Sequence, residues 1–165
     1  SVGFRAPQRG GLAAELVQRL ADEHEDAMLY QDPSQPATVQ PAAVPSTLLA
    51  FARDGLQRLV KDERALACAL GEVLTEPKPT VWFDEPDGVW APTAVRLDRR
   101  TRMLYDEHHV FINGEAFRAG GRDARLMQRL ADDRRLDAKA VQQAGTAAQD
   151  LLADWFEAGW LVLEA

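Results

Sequence analysis

Apolar residues recur at helical spacing along the first half of the chain and at strand spacing along much of the second. From Gly11 to about Tyr30, Leu12, Leu16, Val17 and Leu20 fall on one face of a helix. Prolines 33, 36, 41 and 45 then exclude helix interiors and mark a linker or extended arm. Pro45 suits a first helical turn, and Leu48, Ala52, Leu56 and Leu59 continue on one face, with Gly55 as a local weakness. Asp62 is placed to cap a third helix whose stripe is Leu66, Leu70, Val73 and Leu74, and Pro77 and Pro79 prevent its continuation. Three such helices make a thin core, so part of their apolar surface is expected to bury against a second copy or another domain.

Beyond Pro79 the period shortens. Val95 and Leu97 alternate with polar residues, Asp98 to Thr101 reads as a turn, and Met103 and Tyr105 alternate again, which predicts a hairpin. His109 to Ile112 runs into Asn113-Gly114, the pair suited to a type I′ turn, and then Glu115 to Phe117. Arg122 to Leu130 predicts a helix with Leu126, Met127 and Leu130 inward, and Asp137 caps another over Ala138 to Ala144. Thr146 opens a last helix through Leu151, Leu152, Trp155 and Phe156, Gly159 supplies its left-handed stop, and Trp160 to Leu163 reads as a closing strand. The fold class expected is α+β, a three-helix region over 8–79 followed by a winged-helix domain over 80–165. Ser1 to Pro7 reads as a strand ending in Arg-Ala-Pro, an element whose partner strands belong to another domain.

Composition narrows the possibilities. A chain of 165 residues suffices for one sizeable core or two small ones. No apolar run is long enough to span a bilayer and no basic-then-apolar leader is present, so no membrane partner and a cytoplasmic location are expected. The single Cys68, between Leu66 and Leu70, excludes an internal disulfide and reads as a small packed thiol. A net charge of −7 repels a phosphate backbone, so nucleic acid is not expected as a partner without a strong local basic patch.

Few residues suggest chemistry. His24-Glu25-Asp26 matches the His-x-Asp pattern of iron-dependent oxygenases, but positions two apart on a helix point to nearly opposite sides, and a solvated helix end explains them. In Asp106-Glu107-His108-His109, a strand lets only Asp106 and His108 share an ion, with no third ligand nearby, so a polar turn is favoured. Arg118, Arg122, Arg125, Arg129, Arg134, Arg135 and Lys139 outnumber Asp123, Asp132, Asp133 and Asp137 in the stretch a DNA-binding winged helix would present to the groove. The interleaved acids weaken that field and favour a salt-bridged surface.

Several stretches recur in an order that resembles a known family: Ser1-Val-Gly-Phe-Arg-Ala-Pro7, Leu29-Tyr30-Gln-Asp-Pro33, Leu70-Gly-Glu-Val-Leu-Thr-Glu-Pro77, Phe111-Ile-Asn-Gly-Glu115 and Leu151-Leu-Ala-Asp-Trp-Phe-Glu-Ala-Gly-Trp-Leu161. Together they resemble the C-terminal part of the bacterial ribosomal oxygenases, JmjC-type cupin enzymes that hydroxylate an arginine of a large-subunit ribosomal protein. The match is loose over 34–44 and undiagnostic over 80–90. The resemblance implies a parent whose catalytic barrel holds Fe(II) and 2-oxoglutarate, followed by a helical dimerisation region and a winged helix that contacts protein. It makes 1–7 the strand leaving that barrel, after the family's iron ligands, so the chain itself is expected to hold no catalytic, metal-binding or cofactor-binding residue. His24 and Asp26 follow this strand, whereas the family's metal pair precedes it.

The expectation is therefore a non-catalytic dimerisation and winged-helix portion of a 2-oxoglutarate-dependent hydroxylase. A homodimer would use Leu12, Leu16, Leu20, Leu48, Leu56 and Leu59, and a ribosomal protein would be the substrate of the parent. The alternatives are an autonomous winged-helix regulator binding DNA through Arg122, Arg125 and Arg129, and a protein-binding adaptor with no enzyme attached.

Overall fold

The computed structural model describes residues 7–31 and 37–164. The expected barrel strand over 1–7 therefore lies, apart from Pro7, outside the described residues. The chain divides into two compact units, 1–70 and 71–165.

In the first unit, α1 (Arg9–Glu23) and α2 (Ser46–Leu59) contact each other, and α3 (Glu63–Thr75) begins. The Asp62 carboxylate accepts the amides of Arg64 and Ala65 at 2.9 and 3.2 Å, the cap its position predicts. The first helix is shorter than its pattern suggests. It ends at His24 in extended backbone, Leu20 is its buried residue, and Met28 and Leu29 are exposed. Asp26 turns the chain by accepting the Met28 amide at 3.1 Å, a local bond that competes with helix. Tyr30 then packs edge-on against Phe51 and its hydroxyl meets Thr47 at 2.6 Å.

The second unit contains two three-stranded antiparallel sheets. One has β1 (Val95–Leu97) between β5 (Arg135–Leu136) and β6 (Leu161–Leu163), and the other runs β2 (Met103–Tyr105), β3 (His109–Ile112), β4 (Glu115–Arg118). Helices α4 (Gly121–Asp133), α5 (Ala138–Gln142) and α6 (Thr146–Glu157) complete it. Val95, Leu97, Met103, Ile112, Leu130, Leu136, Leu152, Trp155 and Leu161 share one buried core.

The hairpin expected between Val95–Leu97 and Met103–Tyr105 does not form. β1 pairs Val95 with Leu163 and with Leu136, whereas β2 pairs Met103 with Ile112. Alternation identifies the face that a strand buries, as Val95 and Leu97 do in β1, but it does not name the partner, and in β2 only Met103 is buried while Tyr105 is exposed. The intervening turn is a corner between sheets. Asp98 accepts the Arg100 amide at 2.8 Å, and Thr101 Oγ1 donates to the Trp160 carbonyl at 2.8 Å. The Arg134 guanidinium donates to the carbonyls of Asp98 and Thr101 at 2.8 and 3.1 Å.

Local signals elsewhere give the elements they predict. Asn113 and Gly114 both take positive φ, 48° and 92°, and close β3 onto β4 with Ile112 opposite Glu115. Asp137 Oδ1 accepts the Ala140 amide at 2.9 Å and caps α5. After α6, Gly159 at φ 73° donates to Phe156 O at 2.9 Å and Trp160 donates to Trp155 O at 2.8 Å, a Schellman stop leading into β6.

Candidate functional site

The leucines expected to form an interface differ in exposure. Leu20 is buried within the chain, Leu12, Leu16 and Leu59 are half-buried, and Leu48 and Leu56 are exposed at 38% and 58%. Leu49, exposed at 56%, joins the open face of α2. The stripe Leu48, Ala52, Leu56 and Leu59 omitted it, although an adjacent apolar residue broadens a helical face by one position.

In the second unit, α5 and α6 form the helix-turn-helix, and β5, β1 and β6 form the small sheet of a winged helix. In DNA-binding members of this architecture the second helix of the pair enters the major groove. Here that helix is α6, whose exposed residues include Asp150, Asp154 and Glu157 and which carries no Lys or Arg. The basic residues sit elsewhere. Arg134 holds the corner described above, Arg129 pairs with Asp137 at 2.9 Å, and Arg122 donates to the Gln143 carbonyl at 2.8 Å. Arg122, Arg125 and Arg129 line a cavity of about 290 Å³ between α4 and α5.

A second cavity, about 310 Å³, lies where β6 faces Asp84, Glu85 and Asp87. Arg100 organises that side. Its guanidinium donates to Asp98 (2.8 Å), Asp84 (2.9 Å) and the Trp82 carbonyl (2.7 Å), and stands 5.5 Å from the Phe83 ring centroid. The hydrogen bond from Arg100 is the main influence on the Asp98 carboxyl and holds it below the ordinary carboxylate range against the opposing effect of burial.

The residues with metal-ligating side chains do not assemble. Asp106 Oδ1 accepts the amides of His108 and His109 at 2.7 and 2.6 Å, so this carboxylate closes the turn between β2 and β3. Burial would raise its pKa, but those amide donors outweigh it and hold Asp106 low. His24 and Asp26 lie beyond the end of α1, so the helical argument against them does not apply there, and among the described residues they too lack a third ligand. Among the described residues no group of three or more His, Cys, Asp and Glu side chains is placed to hold a metal.

The fold and this helix-turn-helix define a winged-helix protein with an acidic recognition-helix position. The chain belongs to the ROXA-like winged helix family, whose model matches residues 58–162. No curated protein matches it significantly. Among solved structures it is similar to ycfD of E. coli, with 20% identity and a TM-score of 0.76 over 97% of this chain and 46% of that one. It is also similar to YcfD described as a ribosomal oxygenase from Escherichia coli, in complex with cobalt and succinic acid (21% identity, TM-score 0.75) and with cobalt and 2-oxoglutarate (21%, 0.76). Each of those two matches covers 99% of this chain and 48% of the other, so the chain spans about half the length of the structures it matches. Among the described residues the carboxylate and imidazole groups do not gather into a set that fits an iron ion, and Asp106 is spent on backbone amides.

Proposed function

We propose that this chain is the helical and winged-helix portion of a ribosomal-oxygenase-like, Fe(II)- and 2-oxoglutarate-dependent protein hydroxylase. Its own role is non-catalytic: it joins two copies and carries a protein-contacting winged helix. The observation that carries this reading is the likeness in fold across 97–99% of the chain to about half of YcfD, with the family match over 58–162. The oxidation of substrate then belongs to a domain upstream of Ser1, and a ribosomal protein encountered in the cytoplasm is its substrate. The gene upstream of Ser1 should encode a barrel-like sequence with His-x-Asp and a later His; an unrelated sequence there would remove the enzyme assignment.

Dimerisation is favoured by the helical unit. Leu48, Leu49 and Leu56 leave one apolar face of α2 open, while Leu12 and Leu16 on α1 are only half-covered. Burying leucine side chains contributes about 1.5–3 kcal/mol each, enough for a small set to hold two copies together. Sedimentation of the chain should give twice the monomer mass, and Leu16→Asp or Leu56→Asp should give the monomer with helical circular dichroism retained. A monomeric wild type at micromolar concentration, with unchanged mass for both variants, would sink the dimer. The acidic face of α6 and the net charge of −7 argue against the nucleic-acid regulator and for a protein partner.

A further inference from the structure

The cavity between α4 and α5 combines cationic walls with an apolar floor. Arg122, Arg125 and Arg129 occupy positions i, i+3 and i+7 of α4, a row about 10 Å long on one helical face. Leu126 of α4, Ala140 of α5 and Ala144 just beyond it line the same cavity, and all three are half-buried. Two of the arginines are held in place by the fold, Arg122 through the Gln143 carbonyl and Arg129 through Asp137, and each keeps N–H donors beyond those bonds. Arg125 forms no ion pair or side-chain hydrogen bond among the described residues. Asp123, the carboxylate in the lining, accepts the Gly145 amide at 3.1 Å.

We propose that this cavity docks an acidic protein segment in extended conformation, with carboxylates on Arg125 and its neighbours and an apolar side chain over Leu126, Ala140 and Ala144. Charge complementarity sets the sign of the partner, since three arginines gather at one place on a chain of net charge −7. Planar guanidinium groups pair bidentately with carboxylates, and alternate residues of an extended peptide repeat about every 7 Å, within the length of the arginine row. A nucleic acid fits less well. Among the described residues no aromatic side chain lines the cavity for base stacking, and the acids of α6 repel a polyanion that extends beyond it. The proposal stands apart from the oxygenase reading, because it uses only residues of this family's winged helix.

The test is fluorescence anisotropy on the whole chain with a short labelled peptide of aspartate, glutamate and leucine, its amide counterpart of asparagine, glutamine and leucine, and an oligouridylate of equal charge. The acidic peptide should bind saturably, Arg125→Ala should weaken it by about tenfold or more, and Arg122→Ala/Arg125→Ala should abolish it. Neither the amide peptide nor the oligouridylate should compete. Arg125→Glu should abolish binding of the acidic peptide with helical circular dichroism and the thermal midpoint retained, which separates lost charge complementarity from misfolding. Absence of binding, equal binding by the amide peptide or by Arg125→Ala, or tighter binding of the oligouridylate overturns the proposal. So does a change of self-association in Arg125→Ala without peptide binding, which would make a second copy the occupant.

Discussion

Thr75 has one hydroxyl and uses it in both directions. It donates to the carbonyls of Gly71 and Glu72 at 2.9 and 3.1 Å and accepts the Gly114 amide at 3.1 Å, tying the end of α3 to the turn between β3 and β4. The residue is fully buried, so valine keeps the shape but leaves the Gly114 amide without this acceptor. Thr75→Val should cost about 1–2 kcal/mol, read from the urea midpoint of the second unit, whereas Thr75→Ser should stay closer to wild type. Equal midpoints for Thr75→Val and wild type would show that the hydroxyl anchors nothing. Asp98 acts through charge. Its pKa is depressed in the folded chain, so its contribution is complete above the ordinary carboxylate value of about 3.9 and is lost as pH falls through the lower folded value. Asp98→Asn should reduce stability at neutral pH and flatten the melting-temperature profile below about pH 4. The flattening should be partial, because the folded state also depresses Asp106 and Asp137. An acid limb as steep as wild type would remove Asp98 from the account.

Helix ends and tight turns were legible because the groups that settle them are neighbours in sequence. Asp62, Asp137, Asn113-Gly114 and Gly159 each act within a few residues, and each does in the fold what its spacing predicts. The pairing of β1 was not legible, since its partners Leu136 and Leu163 lie far along the chain, and β5 is only two residues long. The arginine cavity was visible only as a charge run. The sequence held Arg122, Arg125 and Arg129 on one face, but the apolar floor requires α5 to pack beside α4. Gly159 offers a test of the α6-to-β6 stop. Its φ of 73° disfavours a side chain, and a methyl there would meet the Asp84 carbonyl. Gly159→Ala should therefore lower stability by at least about 1–3 kcal/mol and loosen β6 in hydrogen exchange. A neutral substitution would mean that the loop around Asp84 yields freely.

Across the whole molecule, the ROXA-like family match over residues 58–162 takes in the helix-turn-helix of the second unit. Asp106 closes a turn, the helix offered to a groove in DNA-binding relatives of the architecture is acidic, and Leu48, Leu49 and Leu56 of α2 are exposed. No helix among the described residues is long and apolar enough to cross a membrane. The order of the winged-helix sheet adds a constraint on biosynthesis. Its central strand, Val95–Leu97, is made before either neighbour, and its second edge closes only with Leu161–Leu163. During translation the central strand must therefore wait with both edges open until Arg135–Leu136 is made and with one edge open until Leu161–Leu163 follows, a state prone to wrong pairing.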